Sequence, residues 1–103
     1  MKLRSSPWGK PQQQATVAPG IVQVSTASHG GFYVSTERLA ELPPAVLTAE
    51  RFNTPGHWYE EDCEAYIVAV AFPEVAVACG VPREAAVKAL KNWYPNIAEA
   101  LGV

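Results

Sequence analysis

Residues 18–35 read APGIVQVSTASHGGFYVS, and the alternation of apolar runs with turn-forming residues in this stretch decides the fold. Pro19-Gly20 suits a type II turn, because proline presets the first central angle and glycine takes the positive one. Strands are therefore expected on both sides, QQQATVA before the turn and IVQVS after it. Ile21, Val22 and Val24 bring β-branched bulk to the second strand, and GFYVS, with two aromatics and a valine, makes a third. Between them TASHGG reads as a hairpin loop in which Gly30 and Gly31 can take positive φ. The result is a three-stranded antiparallel meander over residues 12–35.

Before the meander, residues 1–11 (MKLRSSPWGKP) hold two prolines and a glycine around one large side chain, Trp8, the composition of an irregular arm. After it the chain becomes mainly helical, over residues 36–103. Ser35 or Thr36 can cap a short helix, TERLAEL, that must stop at Pro43-Pro44, and AVLTAE can turn once more before the loop RFNTPGHW. Residues 58–71 give the strongest helix signal. Tyr59, Cys63, Tyr66, Ile67 and Val70 fall at helical spacing, and Glu60, Glu61 and Asp62 crowd the start, where they complement the helix dipole. EVAVACG follows as an apolar turn of helix closed by Gly80. Pro82 opens a further helix with the apolar face Ala86, Val87, Leu90, Trp93 and Tyr94, and NIAEALG makes a last one with Asn96 as its cap.

The fold class is thus α+β, a single domain in which the meander packs one face on a central helix and C-terminal helices complete the core. At 103 residues and 49% hydrophobic composition, the sequence holds enough for one core and too little for two. The formal net charge of −2 and the scatter of eight basic residues disfavour nucleic acid as a partner. The longest apolar run, Ala65 to Phe72, is far shorter than the roughly 20 residues of a membrane span. No apolar stretch follows the basic start to form a signal peptide, so a cytoplasmic protein with free thiols at Cys63 and Cys79 is expected.

SPWGK at 6–10, APGIVQVSTASHGGFYVS at 18–35 and WYEEDCEAYIVAVAFP at 58–73 resemble the pattern of an uncharacterised family of small bacterial proteins found in phages, plasmids and integrated mobile elements. The resemblance covers most of residues 6–73, and it implies no activity, catalytic residue or cofactor. What it implies is a setting, in which small proteins block host defences or regulate the element.

Several residues carry candidate chemistry. His29 and Cys63 could act as base and nucleophile, with Asp62 or Glu61 orienting the imidazole and the Gly30 and Gly31 amides as an oxyanion hole. Against this, Cys63 falls on the apolar stripe of its helix, where a thiol is packed and inert. His57 and Glu61, four apart, could bind a metal with His29, but Pro55-Gly56 keeps His57 out of regular helix and the acids are accounted for by the dipole, so no metal and no cofactor are expected. The favoured local reading makes His29 a fastener, its imidazole hydrogen-bonded to a carboxylate of Glu60, Glu61 or Asp62. EVAVACGVPREAAVKALKNW follows helix-turn-helix grammar, with Arg83, Lys88 and Lys91 on the second helix, yet Glu84 offsets part of that charge and no Asn or Gln stands early enough to read bases. Among the tryptophans, Trp8 in the proline-rich arm is the one expected to stay exposed.

The expected function is stoichiometric binding to a host protein or complex, as an inhibitor of a defence system of the anti-CRISPR kind, through Trp8, His29, Glu60 and Glu61. A homodimer is left open. The alternatives are a DNA-binding regulator acting through Arg83, Lys88 and Lys91 and a small hydrolase using His29 and Cys63.

Overall fold

Pro19 and Gly20 form the first turn, with Gly20 at φ 79° in the left-handed region that glycine enters without strain. The structure is a computed structural model that describes residues 2–50 and 56–103. On either side of the turn run strands β1 (Gln13–Ala18) and β2 (Ile21–Ser25), paired antiparallel from Gln13↔Ser25 to Ala18↔Ile21 with an irregularity between Thr16 and Ala18. Strand β3 (Gly30–Val34) pairs with β2, Ile21 opposite Val34 and Ser25 opposite Gly30. The meander read from residues 12–35 is present.

The sheet has a fourth strand. Trp58–Glu60 (β4) lies antiparallel to β3, with Gly31↔Glu60, Phe32↔Tyr59 and Tyr33↔Trp58 in register, and the order is β1-β2-β3-β4. The helix expected over 58–71 is correspondingly shorter. After the short helices Thr36–Leu39 (α1) and Pro44–Thr48 (α2), it occupies only Ala65–Ala71 (α3), with Glu64 as its N-cap and no acid in its first turn. The helix-dipole explanation of Glu60, Glu61 and Asp62 therefore falls away. Bulky aromatics favour a pleated surface, and β3 offers Trp58 and Tyr59 an open edge. The expected loop RFNTPGHW falls in part on residues 51–55, which lie outside the described residues.

Gly30 and Gly31 serve proximity rather than turn geometry: neither has positive φ. A Cβ on Gly30 would come within 2.7 Å of the Val24 carbonyl oxygen, and one on Gly31 would run into the Tyr59 carbonyl oxygen. Only glycine lets the three strands approach so closely here.

Both faces of the sheet carry buried side chains. Ile21, Phe32, Val34 and Tyr59 join Ile67, Val70, Val75, Leu90 and Ile97 in one buried cluster. On the other face, where alternation puts Val22 and Val24, Trp58 meets Trp8 edge to face at 5.5 Å and Tyr33 at 5.1 Å, while His57 stacks on Tyr33. Trp8 is therefore half-buried and not the exposed anchor expected from the arm. The arm itself closes on a Ser6↔Gly9 bridge, and Leu3 exchanges two hydrogen bonds with the Gln14 side chain.

Helices α4 (Pro73–Ala78), α5 (Arg83–Trp93) and α6 (Pro95–Ala100) complete the core. After α4 the Gly80 and Val81 amides donate to Val77 and Ala76, a Schellman closure with Gly80 at φ 69°. Gly102 and Val103 end α6 in the same way on Glu99 and Ala98. Asn96 is not the cap of α6: Pro95 takes its first position behind Tyr94, since a ring without an N–H fits the turn whose amides need no partner. Of the apolar face expected on α5, Ala86, Leu90 and Tyr94 are buried, but Trp93 stays 48% exposed. Arg38 ties the first turn to the helices, its Nε donating to Pro19 O at 2.7 Å, its Nη2 3.5 Å from Glu74 and its guanidinium over Phe72.

Candidate functional site

The four residues Thr26–His29 join β2 to β3 in a tight polar turn. The Thr26 amide donates to the His29 carbonyl at 2.8 Å, and Thr26 Oγ1 accepts from the Ser28 and His29 amides at 3.3 and 3.2 Å. This ordering at the base leaves the imidazole of His29 outside, 55% exposed. The Glu61 amide donates to the Gly30 carbonyl at 2.9 Å, which extends the β3–β4 pairing and brings the residues after β4 beside the turn. The two densest stretches of the sequence are thus joined through the backbone, and three side chains converge there. His29, Glu60 and Glu61 each offer one ligand atom, all within 4.8 Å of one another.

Glu60 is the buried member, its side chain only 6% exposed. Its Oε2 accepts from the Asp62 amide at 3.2 Å. Its Oε1 has no hydrogen-bond partner among the described residues and lies 3.9 Å from His29 Nδ1. That gap exceeds any hydrogen bond, so the fastening bond expected of His29 is not made as such. Burial pushes the Glu60 carboxyl above its ordinary range; the Asp62 amide opposes the rise, and the charges of Asp62 and Glu61 add to it. Glu64 Oε1 accepts from the Glu60 amide at 3.2 Å, so a second buried acid stands behind the first.

Cys63 points elsewhere. It is buried, with Sγ 4.0 Å from the Tyr94 hydroxyl, and burial pushes its thiol up, away from the thiolate a nucleophile requires. Native protein at neutral pH should therefore leave Cys63 unmodified by iodoacetamide over a period in which the unfolded chain is fully alkylated. Peptide mapping by mass spectrometry checks this, and rapid native labelling of Cys63 would contradict it. Cys79 is half-buried and also raised by burial.

His57 takes no part in the cluster. Its Nδ1 lies 2.7 Å from the Val34 carbonyl oxygen, which can only accept, so Nδ1 carries the proton and the ring is held in the sheet. Two concave surfaces flank these elements. A groove of about 780 Å³ runs between the sheet and helices α3 and α4, lined among others by Gln14, Gln23, Glu61, Tyr66 and Cys79. A second, about 660 Å³ and open, lies on α5 between Arg83, Glu84, Val87, Lys88 and Lys91. The three cations of the sequence reading thus share one surface, although Arg83 also reaches the Val70 carbonyl at 3.4 Å.

Sequence reasoning grouped His29 with the acids but missed that Glu60 is buried. No local pattern carried that signal: the adjacent Tyr59 and Glu60 are both buried, which neither strand alternation nor helical spacing marks. The pattern of a domain of unknown function (DUF7007) matches residues 1–102, and the chain belongs to that family, in keeping with the uncharacterised family that the resemblance implied. No similar protein was found among curated proteins, and no similar fold among solved structures.

Proposed function

We propose that this member of the DUF7007 family is a non-enzymatic interaction protein of a phage or other mobile element, which inhibits a host defence system by binding one host protein stoichiometrically. The observation that carries the reading is Trp93. It is 48% exposed on α5, a helix whose neighbouring Leu90 and Tyr94 are buried. A tryptophan about half exposed forgoes part of its hydrophobic gain, and tryptophan is among the residues most enriched at binding hot spots. The setting rests on the resemblance of residues 6–73 to proteins of mobile elements. The burial of Cys63 supports a binding role over hydrolysis by His29 and Cys63.

The basic groove on α5 favours a second reading, a DNA-binding regulator, because Arg83, Lys88 and Lys91 stand together there and α4 and α5 follow one another through a short turn. One experiment separates the two. Tagged protein is passed over host extract, and whatever it retains is purified and titrated against the wild type and Trp93→Ala. The expected outcome is a one-to-one protein complex weakened at least about tenfold by W93A, with unchanged circular dichroism. Full retention of the partner by W93A would refute the role of Trp93. Retention of nucleic acid, falling steeply with salt and lost on changing Arg83, Lys88 and Lys91 to glutamate, would establish the regulator instead.

A further inference from the structure

We infer that His29, Glu60 and Glu61 form a binding site for a divalent cation of the zinc type, fastening the β2–β3 turn to the end of β4. Three potential ligands within 4.8 Å would carry little weight if all were solvated surface groups. Glu60 is not: its side chain is 6% exposed, and its one unpartnered oxygen, Oε1, is the atom that faces His29. A buried carboxylate oxygen without a donor costs free energy that a bound cation recovers.

The spacing agrees with this assignment. At 3.9 Å, His29 Nδ1 and Glu60 Oε1 are too far apart to share a proton, yet an ion with bonds of about 2.1 Å to each can bridge them. Glu61 is the adjustable ligand. Its amide is held by Gly30, its carboxylate lies over the same glycine, where a Cβ would be 2.8 Å from Oε2, and its side chain is exposed enough to swing onto the ion. The Asp62 amide on Glu60 Oε2 fixes the carboxylate plane, the kind of outer contact that orients metal ligands. The charge of Asp62, beside Glu60, raises the attraction of the position for a cation. The exposed His29 and Glu61 leave an entry path, with water to complete the coordination shell.

The donor set selects among cations. One imidazole with two carboxylates suits Zn²⁺, whereas Mg²⁺ and Ca²⁺ prefer all-oxygen shells. The sequence spacing offered His57 and Glu61 with His29 and gave no reason to expect a metal; in the fold His57 is spent on Val34, and Glu60 stands with His29 and Glu61. This inference does not depend on the function proposed above.

The test uses the full chain carrying Cys79→Ser, so that the partly accessible thiol does not compete for metal. Metal-free protein is titrated with zinc chloride by calorimetry and melted with and without the ion. One Zn²⁺ per chain and a higher melting temperature are expected. His29→Ala and Glu61→Gln should each weaken binding at least about tenfold, the loss that even an outer-shell contact brings. Both side chains are exposed, so both variants should match the parent in circular dichroism. Calcium and magnesium chloride should give no comparable rise in melting temperature. Absence of zinc binding, zinc binding undiminished in both variants, or calcium binding as tight as zinc binding would each overturn the site.

Discussion

Gly31→Ala should leave the protein unfolded or at least about 3 kcal/mol less stable in urea denaturation. The added Cβ would run into the Tyr59 carbonyl oxygen and stand 2.7 Å from Trp8 Cη2 and 3.0 Å from Glu60 Cα. The indole could swing away. The other two are backbone atoms of the strand paired with β3, so relief requires the β3–β4 ladder to part. That separation would also disturb the Trp8–Trp58 contact on the outer face. A control isolates the cause: Gly80→Ala adds its Cβ in open space and meets only the strain of φ 69°, about 1–2 kcal/mol. Should the two variants prove equally stable, close strand approach would not be the reason for Gly31.

Ile67→Ala should cost about 3 kcal/mol and lower the melting temperature by about 15 °C. Ile67 is 0% exposed and belongs to the cluster in which α3 meets the sheet residues Phe32 and Val34 and the helix residues Leu90 and Ile97. Truncation to alanine removes three carbons from a site enclosed on both sides, where collapse of the surroundings can fill little of the cavity. Val77→Ala, on the neighbouring helix but 81% exposed, should change stability by no more than about 0.5 kcal/mol. Scanning calorimetry of the two variants reads the contrast directly. Near-equal melting temperatures would mean that α3 does not carry the core.

The sequence by itself determined those parts of the protein whose causes are local. Pro19-Gly20 and the β-branched run after it specify the turn and the strands of the first hairpin locally. Ser35 caps α1 through its own side chain, and Gly80 closes α4 because its positive φ is needed within three residues of the helix. The α+β class follows from the same local signals.

Tertiary structure decided what depends on groups distant in the chain. Tyr59 and Cys63 fit a helical stripe as well as Tyr59 fits a strand, and the conflict is resolved by the unpaired edge of β3, which local periodicity does not record. The same pairing explains Gly31, since the backbone atoms that exclude a Cβ there belong to residues 59 and 60. It also draws Glu60 inward and sets it opposite His29, across 31 positions of sequence, while Cys63 turns to Tyr94. Trp93 shares its helical spacing with Leu90, yet it stays 48% exposed where Leu90 is fully buried. A hydrophobic pattern states which side chains gain from burial; only the packed fold determines which of them receive it.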